Sequence, residues 1–125
     1  MANSYFQFKQ FTIHQDRSAM KVTTDACLFG AWTSKDIATN RQPNLRSLDI
    51  GAGTGLLSLM IAQQNQDCLI DAVEIDKEAA MQASENINAA DKASQVLVIH
   101  NDILHYRPAA SYDIIFSKKK KKKNE

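Results

Sequence analysis

The chain has 125 residues and a mass of 13.9 kDa, with 44% hydrophobic and 23% charged residues, which suits one globular domain with a single core and leaves no room for a second. No apolar run approaches the roughly 20 residues that cross a bilayer, and Met1-Ala2-Asn3-Ser4-Tyr5 has neither the basic start nor the apolar core of a secretory signal, so a cytoplasmic location with Cys27 and Cys68 as thiols is expected. The net charge of +1 rests on Lys118 to Lys123; without that run and Glu125, nine basic residues face thirteen acidic ones, and a body at −4 offers nucleic acid no chain-wide electrostatic footprint.

In chain order, Phe6-Gln7-Phe8-Lys9-Gln10-Phe11 reads as a strand from its alternating aromatics. Thr23, Thr24 or Asp25 is placed to cap a short helix carrying Leu28, Phe29 and Trp32 on one side, with Cys27 expected in the core. Thr39 to Asn44 is a polar linker. From Leu45 onward short apolar runs alternate with helical ones, the pattern of a parallel sheet with helical crossovers. Leu45 to Ile50 is the first of these strands, and Leu56 to Gln64 a helix directly after the glycines. Leu69 to Glu74 is a strand, Lys77 to Ala90 an Ala-rich helix, and Val96 to His100 a strand whose unbroken Val-Leu-Val-Ile suits burial on both faces. Tyr112 to Phe116 is the last strand, after a loop containing Pro108. The expected architecture is α/β and Rossmann-like, a partial parallel sheet of four strands behind an N-terminal strand and helix.

The chemistry centres on Leu48-Asp49-Ile50-Gly51-Ala52-Gly53-Thr54-Gly55-Leu56. Gly51, Gly53 and Gly55 allow a tight strand-to-helix turn that a ligand approaches closely. A dinucleotide fingerprint uses the same device, but it has Gly or Ala where this chain has Leu56, and it leaves the helix N-terminus to a pyrophosphate. Asp49 opposes a pyrophosphate and suits the ammonium and sulfonium of S-adenosylmethionine. A P-loop is excluded, because no Gly-Lys-Ser/Thr follows. Glu74 closes the second strand, on the sheet edge where open α/β folds bind ligands, and is placed to accept both ribose hydroxyls. Asp76 is expected to start the next helix. Asp102 follows the third strand, placed to accept the adenine amino group, with Ile103 packing the ring.

Three acids at three successive strand ends, with the glycine turn, resemble the class I S-adenosylmethionine-dependent methyltransferases over Leu45 to Ser117. The preceding box, Phe8-Lys9-Gln10-Phe11-Thr12-Ile13-His14-Gln15-Asp16-Arg17 with Ala19 to Val22, Thr24-Asp25, Leu28 and Gly30-Ala31-Trp32, is similar to the start of the bacterial tRNA1(Val) (adenine(37)-N6)-methyltransferases. That resemblance implies methyl transfer from S-adenosylmethionine to an adenine N6 in tRNA. It also implies that residues 1–44 cover the donor, with Thr24 the residue chosen for that role, and that 45–117 form the donor-binding half. Other acceptors of the same planar kind, a ribosomal RNA base or a protein glutamine, share the chemistry, and a non-catalytic donor-binding module is the alternative of another class.

In that family an Asn-Pro-Pro-aromatic tetrad follows the fourth strand; its Asn and first Pro carbonyl accept the N6 hydrogens and its aromatic stacks on the extruded base. Here Ser117 is followed by Lys118. The expectation is therefore a chain that carries the donor half without methylating, with 118–125 an artefactual or disordered tail. His14, His100 and His105 show no metal-ligand spacing with either cysteine, and no nucleophilic triad is expected.

Overall fold

A computed structural model describes residues 5–18, 22–39, 43–108 and 110–117. The lysine run expected as a tail, and Asn40 to Gln42 of the expected linker, lie outside the described residues. The first segment is a hairpin, β1 (Tyr5–Gln7) paired antiparallel with β2 (Thr12–His14), and not one strand over the aromatic run. In a straight strand Phe8 and Phe11 would point to opposite faces. The turn between them, closed by Phe8 N–H donating to Phe11 O at 2.7 Å, stacks the two rings with centroids 4.9 Å apart and packs both on the core.

The helix α1 (Thr24–Thr39) runs for 16 residues, longer than the short helix expected, because no proline or turn sequence interrupts it before Thr39. Of the three candidate caps Thr23 takes the role, its Oγ1 accepting from Ala26 N–H at 3.1 Å. The buried side is Gly30, Thr33, Ser34 and Ile37. Leu28 and Trp32 point outward, 64% and 65% exposed, while Cys27 is half-buried against the core.

Beyond Pro43 the strands are β3 (Arg46–Ile50), β4 (Leu69–Glu74), β5 (Val96–His100) and β6 (Ile114–Ser117), and the helices α2 (Leu56–Gln64) and α3 (Lys77–Ala89). Among the described residues the sheet has the order β5-β4-β3-β6, with every pairing parallel. Paired residues of parallel strands share a face. The face bearing Ile70, Ala72, Val96 and Phe116 packs against Leu59 and Ala62 of α2 and Ile87 of α3 to form the core. On the opposite face Leu97 and Ile115 remain 60% and 59% exposed. At the start of that face Asp71 Oδ2 accepts from Tyr112 Oη at 2.6 Å and pairs with Arg46 at 3.2 Å, tying the loop before β6 to the sheet.

The chain leaves β3 toward β4 on one side, then returns to place β6 on the other. That reversal puts a crevice at the C-terminal end of β3, where Asp49 and Gly51 stand.

Candidate functional site

The turn after β3 is built from left-handed glycines: Gly51 has φ 74°, and Gly55, at the cap position of α2, has φ 87°. A side chain at either would be strained. The surroundings of the two differ. A Cβ at Gly55 would sit 3.5 Å from Ala83 and Ile87 of α3, an ordinary contact, so there the positive φ and not the space calls for glycine. A Cβ at Gly51 would meet nothing within 4 Å, and the open space there is the cradle a ligand needs. The turn is held to β4 by Gly51 N–H and Ala52 N–H, both donating to Val73 O, at 2.8 and 3.2 Å.

Asp49 is 2% exposed and accepts from Ser58 Oγ of α2 at 2.7 Å. Burial pushes its carboxyl up to about 6, the hydroxyl of Ser58 opposes the rise, and the nearby charge of Glu74 adds to it. A buried carboxylate without a cationic partner is costly, so the site favours a cation. Glu74 closes β4, where its Oε1 accepts from Gly53 N–H at 2.8 Å and its Oε2 from Asp76 N–H at 2.9 Å. It spans the gap between the glycine turn and the start of α3, and each oxygen keeps a further lone pair for a ligand hydroxyl. Asp76 is the cap of α3, accepting from Ala79 N–H at 2.9 Å.

The end of β5 is stitched to the same edge by Asn101 N–H donating to Glu74 O at 3.1 Å. Asp102 follows, half-buried, its Oδ1 accepting from Leu104 N–H at 3.0 Å in a turn beside half-buried Ile103. A cavity lies over the glycine turn, with Asp49, Gly51 and Gly53 among its lining residues and Val22, Ala26 and Phe29 facing them. Glu74, Asp102 and Ile103 continue along the edge outside that lining. Thr24 is exposed at the first turn of α1 and does not line the cavity, although Val22 and Ala26 on either side of it do.

Several contributors carry no motif of their own. Ser58 is a helix residue three places past the last glycine. Gln82 and Asn86 of α3 are 2% and 0% exposed and hold backbone groups of the N-terminal segment. Their four-residue spacing within Ala79, Ala80, Ala83 and Ile87 was the available signal, two amides on a helix face otherwise apolar.

Parallel strands with a topological switch, a glycine turn at that switch and acids on successive strand ends define a Rossmann-like domain for a nucleoside-type ligand. Residues 32–118 match the family model described as Methyltransferase small domain, and the chain belongs to that family. It is 48% identical over 115 residues to a tRNA1(Val) (adenine(37)-N6)-methyltransferase of Dyadobacter fermentans, covering 92% of this chain and 45% of that relative. It is 50% identical over 116 residues to the protein of the same name from Aeromonas hydrophila subsp. hydrophila, covering 92% and 46%. The chain thus spans about half the length of the curated relatives it matches. Among solved structures, the SAM-dependent methyltransferase from Agrobacterium tumefaciens superimposes with a TM-score of 0.74 at 20% identity, over 94% of this chain and 40% of that one. One from Thiobacillus denitrificans, in complex with S-adenosyl-L-homocysteine, gives 0.61 at 22% identity over 82% and 39%. These two likenesses establish the fold.

Proposed function

We propose that this chain binds S-adenosylmethionine across the C-terminal edge of its sheet and is the donor-binding part of an enzyme that methylates N6 of an adenine in tRNA. The observation that carries the donor assignment is Glu74, a carboxylate at the end of β4 fastened to Gly53 N–H of the glycine turn and to Asp76 N–H at the start of α3. In this reading Asp49 and the turn Gly51, Gly53 and Gly55 take the cationic methionine end, Glu74 the ribose hydroxyls, and Asp102 with Ile103 the adenine. The bound donor supplies a methyl group activated by its sulfonium. The chain's own groups orient it and exclude water. Residues 1–44 act as the cover, a role supported by Val22, Ala26 and Phe29 facing the glycine turn. The acceptor reading is supported by the names of the relatives that match 92% of the chain.

Calorimetric titration with S-adenosylhomocysteine tests the donor site: saturable one-to-one binding supports it, and none by a folded sample overturns it. With methyl-labelled donor, tRNA and this chain continued through the family's Asn-Pro-Pro-aromatic tetrad, label recovered as N6-methyladenine supports the acceptor, and no label on the tRNA overturns it; residues 1–125 alone are expected to transfer none. Label on a different base or on a glutamine side chain replaces it.

A further inference from the structure

We infer that Asn86, which does not itself line the proposed ligand cavity, is a positioning residue that couples the N-terminal segment to the glycine turn, so that docking of that segment and donor binding reinforce each other. The inference rests on the donor-site reading above.

The Asn86 side chain is fully buried, and its amide makes three bonds to backbone groups, both of its N–H donors among them. Its Oδ1 accepts from His14 N–H at 2.9 Å, and its Nδ2 donates to His14 O and to Thr54 O, each at 2.9 Å. It therefore pairs with His14 as a neighbouring strand would, and with its second amide hydrogen it grips the carbonyl between Gly53 and Gly55. One turn earlier Gln82 repeats the arrangement, accepting from Arg17 N–H at 3.0 Å and donating to Asp16 Oδ1 at 2.7 Å. Between these anchors, buried Gln15 accepts from Val22 N–H at 2.8 Å, and Val22 lines the cavity opposite the glycines. One face of α3 thus holds Thr54 of the cavity wall and His14, Asp16 and Arg17 of the N-terminal segment, whose Gln15 in turn bonds Val22 on the facing wall.

Two elements fixed to one rigid helix by shared hydrogen bonds cannot be ordered independently. A ligand that orders the glycine turn lowers the cost of docking the segment, and by linkage the docked segment raises affinity for the ligand. Backbone-to-amide bonds of this kind are a specific anchor, since a buried backbone group left without a partner is costly.

Hydrogen exchange and calorimetry on the full chain with S-adenosylhomocysteine test this. In the wild type, the ligand is expected to slow exchange at the His14 and Arg17 amides, which do not contact it. In Asn86→Ala, affinity is expected to fall at least tenfold and that protection to vanish. If Asn86→Ala does not fold, Gln82→Met, which leaves the Thr54 bond in place, is expected to bind at least threefold more weakly with protection at Arg17 lost. A wild type that binds without protecting those amides, or a folded variant with wild-type affinity, overturns the inference and leaves the donor site standing. A wild type that binds nothing overturns both.

Discussion

Ser58 donates its hydroxyl to Asp49 at 2.7 Å, and the pair is buried under the turn that joins β3 to α2. The bond is the hydroxyl's answer to a carboxylate that has lost its water. Ser58→Ala removes it without changing the backbone. A hydrogen bond to a charged group contributes about 1.5–3 kcal/mol, so the variant is expected to lose about that much stability at pH 7.5, where Asp49 is ionised. It should lose less at pH 5. Urea denaturation at the two pH values measures the difference, and equal losses would refute the assignment.

The burial of Asp49 has a stability consequence with a definite sign. Its folded-state value of about 6 lies above the ordinary 3.8, so between those values the native state holds more protons than the unfolded one, and stability falls as pH rises. The contribution is present in full below about 3.8 and is lost as pH passes through about 6. Its size is on the order of 3 kcal/mol. Asp49→Asn is expected to lack this loss and to be more stable than the wild type at pH 7. Asp16, whose carboxyl is held below its ordinary value mainly by the Gln82 amide, acts in the opposite sense at lower pH and is common to both proteins. The wild-type minus variant difference therefore isolates Asp49. Binding of a cationic donor should run the other way, weakening as pH drops through about 6 in the wild type and losing that dependence in Asp49→Asn.

Glu74 is expected to matter to fold and ligand together. Glu74→Ala frees Gly53 N–H and Asp76 N–H, and Glu74→Gln can accept from only one of them while its NH2 opposes the other. Both variants are expected to lose about 1–3 kcal/mol and to weaken S-adenosylhomocysteine binding by more than tenfold. Thermal denaturation and calorimetry on the same samples decide this; unchanged affinity in a folded variant would remove Glu74 from the site.

Gly51→Ala and Gly55→Ala should separate ligand binding from backbone strain. Both place a Cβ on a left-handed residue, at about 1–2 kcal/mol. Gly51→Ala projects its methyl into the open cradle and is expected to abolish donor binding at that modest stability cost. Gly55→Ala meets Ala83 and Ile87 at an ordinary contact distance of 3.5 Å outside the cavity lining, and is expected to lose a similar amount of stability while weakening donor binding less, as circular-dichroism melts and calorimetry would show.

At the opposite end of the sheet, Tyr112→Phe removes the hydroxyl that donates to Asp71 at 2.6 Å while leaving the Arg46 pair in place. The expected loss is about 1.5–3 kcal/mol, with donor affinity unchanged.

Much of this molecule is written in short-range pattern. The bounds of α2, β4 and β5 follow from runs of apolar or helix-forming residues ended by polar ones. Asp49, the glycines, Glu74 and Asp102 stand where a strand ends, because strand, turn and helix propensity are local properties. The hairpin at Phe8 and Phe11 and the outward side of α1 were not legible, since which face of an element is buried depends on what packs against it. The same holds for Ser58, Gln82 and Asn86. Their side chains are ordinary for a helix until folding brings Asn86 to His14 across a separation of 72 residues. Only there does a buried amide meet backbone groups that need a partner, and it is that meeting, set by the packing of α3 under both segments, that joins the glycine turn to the strand ahead of it.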